Sequence, residues 1–264
     1  MTARVIPTAA RPRPQGLFEM AMALGRHLPG TPGHICYRKL KRRLCAHVPD
    51  TFGAVLADTG AGDLCIDLGA NVGDITRQMA TTGAEVICFE PDPAAFAMLQ
   101  ANTADLTGVT LHQKAASTEN TRMILRRSAN WEDDNALPHT VASSIMRDDK
   151  DMSEALGVMV DVVDLPAFLA SLDRDIRILK MDIEGAEWDV LEALLDHPVL
   201  ARIDCVFVET HERYDPVRCI PLFERLQDRA EALARPYINL YWVRHIMSGK
   251  IIGIVLLLSS IIAG

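Results

Sequence analysis

The sequence predicts an α/β fold, a mostly parallel sheet with helices on both faces and a helical extension in front. Three observations predict it. From residue 60 short apolar runs alternate with helix-like stretches, the pattern of βαβ units. The first run ends in a glycine turn, "DLGANVGD", at a strand-to-helix changeover. The second ends in an acid, Glu90, 21 residues after Gly69.

Taken in order, residues 1–16 form a proline-rich leader and "LFEMAMALGRHL" (17–28) an amphipathic helix. "LPGTPGH" reads as a break, and "YRKLKRRLCAHV" (37–48) as a basic helix that ends before Pro49. These make an N-terminal extension over 1–50, with the main domain over 51–264. Strands are expected at 64–70, 85–91, 109–115, 176–183 and 203–210, each a short apolar run. Helices fall near 72–82, 93–105, 186–196 and 217–234. Between residues 118 and 163, "TRMILRR", "HTVASSIM" and "VMVDVV" read as extra strands or loops, with "NWEDDNA" a polar turn. "YINLYWV" (237–243) and "IIGIVLLL" (251–258), joined by a turn containing Ser-Gly, complete a closing β-hairpin and bring the sheet to seven strands.

Composition narrows the function classes. The 264 residues are 49% hydrophobic and 23% charged, enough for a core without disulfide staples. Six cysteines, at 36, 45, 65, 88, 205 and 219, include no C-x-x-C pair, which argues against zinc and for reduced thiols in a cytoplasmic protein. Net charge is −8, but residues 1–49 hold nine Lys/Arg against Glu19 alone, a local +8 that leaves −16 for the rest. So acidic a body argues against general nucleic-acid binding. The first residues lack the apolar stretch of a signal peptide. The uncharged run 251–264 has 14 residues where a membrane span needs about 20. It therefore reads as a core strand, with membrane contact through an apolar C-terminus as the alternative.

The turn after the first strand spaces Asp67, Gly69 and Gly73 as D-x-G-x-x-x-G. Glycine permits the tight turn and close ligand approach, and the following helix offers free N–H groups. A dinucleotide fingerprint is G-x-G-x-x-G. Here Asn71 replaces the glycine that admits a pyrophosphate, and Asp67 would repel one. An acid suits a positively charged amino group better. Glu90 stands where an acid accepts hydrogen bonds from ribose hydroxyls. A nucleoside bearing an amino acid, S-adenosyl-L-methionine, fits both ends. A nicotinamide-dependent oxidoreductase is the rival these departures disfavour.

The segments "CIDLGANVGDIT", "VICFEPDPAAFAMLQAN", "HQKAAS", "VVDLPAFL", "ILKMDIEGAEWDVLEALL" and "VFVETH" occur in the order of the FkbM-type methyltransferases, which the chain resembles over residues 64–211. The resemblance implies a Rossmann-like Class I fold and methyl transfer from S-adenosyl-L-methionine, usually to a hydroxyl oxygen. The acceptor would be a small molecule, sugar, or glycan or lipid precursor. It implies that Asp67, Gly69, Ala70, Asn71 and Gly73 bind the methionine end. Glu90 would hold the ribose, Pro91 and Asp92 continue that wall, and Ala115 and Ala116 adjoin the adenine. "TVASSI" (140–145) resembles a variable serine-containing segment but lacks the glycines common there.

Methyl transfer from a sulfonium is an in-line displacement that also needs the hydroxyl proton removed, or the alkoxide held by a metal. Ligands of open α/β sheets bind beyond the carboxyl ends of the strands. Asp182 and Glu184, after the fourth predicted strand, and His211, after the fifth, are the candidate catalytic residues. Glu187 and Asp189 read as chemistry of the following helix, Asp189 as solvated. A divalent metal on Asp182 and a neighbour stands second, with no ligand set named. A fold that binds the cofactor without turnover is the non-enzymatic rival. No pattern in the sequence sets an oligomeric state.

Overall fold

The structure is a computed structural model describing residues 4–8, 11–128, 143–146 and 152–243. These form two compact units, one of residues 4–8 and 51–240, the other of 11–50 and 241–243. Among them no helix is long and apolar enough to cross a membrane.

In the smaller unit α1 (Gly16–Gly25) and α2 (Thr31–His47) pair. The expected break at 28–34 is shorter than predicted, because α2 begins at Thr31. Pro32 sits in its first turn, where a missing N–H costs nothing. Gly33 then abuts the link after α1, for a Cβ there would stand 1.9 Å from the Leu28 carbonyl oxygen. Glu19 of α1 lies 3.4 Å from His47 and 3.7 Å from Arg43 of α2.

The larger unit opens with α3 (Thr51–Ala57), not predicted, and then alternates as expected. In order come β1 (Leu64–Leu68), α4 (Asp74–Ala80), β2 (Glu85–Phe89), α5 (Pro93–Thr103) and β3 (Val109–His112). The chain then leaves the main sheet for β4 (Ala115–Ser117), β5 (Thr121–Ser128) and β6 (Met152–Asp164). It returns through α6 (Leu165–Ser171) to β7 (Ile176–Met181), α7 (Glu187–Asp196), a 3-10 turn, β8 (Ile203–Val208), α8 (Pro216–Glu231) and β9 (Tyr237–Asn239). The main sheet runs β3-β2-β1-β7-β8-β9, every pair parallel. Six of the seven expected strands are thus in place, and the second strand of the closing hairpin lies outside the described residues. β1, β7 and β8 are buried at every position, which is why they read as unbroken apolar runs.

Two expectations change here. The run 109–115 is two strands, not one. The chain turns at Gln113–Lys114, and Ala115 and Ala116 pair with Val162 and Val163 of β6 in a second sheet ordered β4-β6-β5. "VVDLPAFL" includes α6, capped by the Asp164 carboxylate accepting the Ala167 N–H at 3.0 Å with Pro166 in the first turn. The second sheet buries Leu125, Val160 and Val162 with Ile145, and that cluster includes Ala186 at the foot of α7. Of "HTVASSIM" only residues 143–146 are described, Ser144 bridging to Arg126. The "NWEDDNA" turn lies outside the described residues.

Candidate active site

The sheet order reverses between β1 and β7: the chain proceeds outward to β2 and β3 on one side, then to β8 and β9 on the other. Such a switch point opens a crevice at the carboxyl ends of the strands. Three groups of residues meet there.

The first is the glycine turn. The Gly69 and Ala70 N–H groups both donate to the Phe89 carbonyl at 3.0 Å. Gly69 has φ +69°, and a Cβ would stand 1.8 Å from the Asp182 carbonyl oxygen, so only glycine fits. Asn71 (φ 51°) and Gly73 (φ +95°) also take left-handed conformations. Asp67 is fully buried and already has a cation. Lys180 of β7 stands 3.0 Å from it, Thr76 donates to it at 2.7 Å, and the Lys180 ammonium also donates to the carbonyls of Leu68 (3.0 Å) and Gly69 (2.8 Å). Asp67, expected to face a ligand's amino group, thus stands against a cation of the protein's own, with its Oδ1 lacking a hydrogen-bond partner.

The second is the end of β2. Glu90 is buried and accepts the Asn71 N–H and the Asp92 N–H, each at 2.8 Å. Burial pushes its pKa up to about 7, against the pull of those N–H groups. Pro91 separates it from Asp92, whose carboxylate caps α5 through the Ala94 N–H at 2.9 Å. Asp92 also receives both arms of Arg127 from β5, at 3.0 and 3.1 Å, and Ser143 at 3.3 Å. It is fully buried, and it fastens the second sheet to this wall. Ala115 and Ala116 are buried in β4.

The third is the rim beyond β7 and β8. His211, 2% exposed, has Nδ1 3.1 Å from Glu187, whose carboxylate also accepts the His211 N–H at 2.9 Å and the Gly185 N–H at 2.7 Å. Its Nε2 faces Glu184 at 3.4 Å and Asp182 at 3.7 Å. Burial alone would lower the His211 pKa. The carboxylates of Glu187, Glu184 and Asp182 outweigh it and raise the pKa to about 10. Burial raises the Glu184 pKa, while His211 and Tyr214 pull it back. Tyr214 donates to Glu184, stacks on His211 with centroids 5.4 Å apart, and carries Arg213 over its ring. Glu184 has φ 51°, and the Ser144 hydroxyl donates to its carbonyl at 2.6 Å.

Sequence reasoning placed Asp182, Glu184 and His211 near these strand ends, and the structure brings all three together. It erred on Glu187, which is no mere first-turn acid but the buried brace of His211. Asp189, paired with the exposed Arg218 at 2.6 Å, is solvated as expected. Lys180, Arg127 and Tyr214 were missed. A lysine inside "IRILKM", a strand apolar but for Arg177, was the available signal for Lys180.

An open parallel α/β sheet with a glycine turn, a following acid and a charged rim at its switch point defines a Rossmann-like methyltransferase. The chain belongs to the FkbM methyltransferase family: the model of the methyltransferase FkbM domain matches residues 67–230. It is also 31% identical over 144 residues to "Methyltransferase 1" of Beauveria bassiana (strain ARSEF 2860), covering 50% of this chain and 58% of that protein. The chain thus aligns with little more than half the length of this relative.

Proposed function

We propose that this methyltransferase moves the methyl group of S-adenosyl-L-methionine to a hydroxyl oxygen of a small molecule, sugar, or glycan or lipid precursor. The observation that carries the reading is the contact between Gly69 and Asp182. It sets the glycine turn directly against the rim that holds Asp182, Glu184 and His211. A donor bound by the Gly69–Gly73 turn and Glu90 then presents its methyl to an oxygen on that rim. The S–CH3 bond breaks as the O–CH3 bond forms, and the hydroxyl proton leaves to a rim carboxylate, Asp182 or Glu184. The products are S-adenosylhomocysteine, the methyl ether and a proton. Positioning supplies much of the rate, with proton transfer worth about 10²–10⁴.

The test is calorimetric titration with S-adenosylhomocysteine, followed by transfer of labelled methyl to a panel of hydroxylated acceptors. Binding that is lost in Glu90→Ala, with label appearing as an acid-stable ether, is the expected result. Binding without turnover on any acceptor would favour a silent binding module, and no binding at all would remove the reading.

A further inference from the structure

We propose that Asp182, Glu184 and His211 form a binding site for one divalent transition-metal cation, with Glu187 as the orienting partner of the histidine. The inference deepens the methyl-transfer reading and rests on it for the role of the metal, though not for its binding.

Three observations support the site. One ligand atom from each of the three residues lies within 4.8 Å of the others. The imidazole nitrogen stands 3.4 Å from Glu184 and 3.7 Å from Asp182. Ligands 2.0–2.2 Å from a shared metal in neighbouring positions stand about 3.0–3.6 Å apart, so only small side-chain movements close the set. Next, His211 is held as a metal-bound histidine is held. Its Nδ1 is fixed by the buried Glu187, the His211 N–H donates to the same carboxylate oxygen, and Nε2 is left pointing at the two acids. Carboxylate–histidine–metal chains set the tautomer in this way. Last, the Asp182 side chain, 14% exposed, accepts no hydrogen bond among the described residues, and its nearest partner is the His211 ring at 3.7 Å. Its oxygens reach solvent beside that ring and are open to a cation.

Two oxygen ligands and one imidazole nitrogen suit Mn²⁺, Fe²⁺ or Zn²⁺ better than Mg²⁺ or Ca²⁺, which take oxygen throughout. The rim also leaves coordination positions for outside ligands, since three protein groups supply only part of a shell. An acceptor hydroxyl bound there would be polarised by the cation beside the donor turn.

The experiment uses the full chain, stripped with chelator and titrated with Mn²⁺, free ion being read by electron paramagnetic resonance. One Mn²⁺ per chain is expected, weakened at least 100-fold in Asp182→Asn and in His211→Asn. Glu187→Gln should weaken it about 10–100-fold. Asp182→Asn is isosteric and partly exposed, so it decides the matter should a histidine variant misfold. Absence of Mn²⁺ binding, or binding unchanged in Asp182→Asn, would overturn the site. Titration with S-adenosylhomocysteine in chelator separates the two readings. Cofactor binding by a chain that takes up no Mn²⁺ in the first titration overturns the metal site alone. Mn²⁺ bound through Asp182 without cofactor supports the site and removes the methyl-donor reading.

Discussion

Arg177 and Lys180 stand three residues apart on β7, and both are buried, yet the two ends of that strand treat charge differently. At the amino end Arg177 is enclosed. Its terminal nitrogens donate to Asp204 at 3.1 Å, Asp58 at 2.9 Å and the Val5 carbonyl at 2.9 Å, while Arg4 and Arg235 also reach Asp204. At the carboxyl end Lys180 is ion-paired with Asp67 at 3.0 Å, and two residues on the pairing thins. Asp182 has no hydrogen-bond donor among the described residues, and three carboxyl groups converge on one imidazole. Among the described residues, only Arg177 Nε goes without a hydrogen-bond partner in the network at the lower end; at the upper end Asp67 Oδ1 and the Asp182 carboxylate both do. Buried polar groups are ordinarily satisfied, so where they are not, a binding role is the first explanation to test.

That contrast can be broken from either side. Asp182→Asn strikes the upper end, and turnover should fall about 10²–10⁴-fold, read by labelled methyl transfer, with the thermal midpoint little changed because that carboxylate accepts no hydrogen bond among the described residues. Arg177→Ala strikes the lower end and leaves Asp204 buried beside fewer partners. Chemical denaturation should show a loss of about 3–5 kcal/mol, with turnover per folded molecule kept. Turnover lost with stability intact in this variant would undo the division. A smaller effect concerns Glu90. Its pKa is raised from 4.5 to about 7, so the free protein takes up a proton there more readily than the unfolded chain, and this contribution to stability fades as pH rises from 4.5 through 7. A ribose needs the carboxylate, so binding releases the proton. Affinity for S-adenosylhomocysteine should rise by up to about tenfold per pH unit below 7 and level off above it. Glu90→Gln should give a flat profile in the same calorimetric titration. Smallest of all, Arg218→Ala removes an exposed partner of Asp189 and should change stability by less than about 1 kcal/mol by thermal melting.

The main sheet was legible because its strands are buried on both faces, and such strands spell themselves as short apolar runs. The glycine turn and Glu90 were legible because spacing along the chain fixes them. The two-strand reading of 109–117 escaped because a chain that changes sheets keeps its apolar texture; only "QK" marks the turn. α3 and α6 escaped because seven residues offer barely two turns of periodicity and, unlike the equally short α4, neither follows a glycine turn that marks a helix start. Glu187 and Lys180 escaped for another reason. Their partners lie 24 and 113 residues away, at His211 and Asp67, and the convergence of distant charges has no signature along one chain.

Lys180 carries a consequence for chemical labelling. Its side chain is 1% exposed, locked between Asp67 and two carbonyls at the centre of the sheet. An amine-directed reagent should modify exposed lysines at once and reach this one only when β1 and β7 part. The mass shift on a peptide containing Lys180 is then a clock for opening of the central sheet. A ligand seated on the glycine turn should slow that clock without touching the lysine.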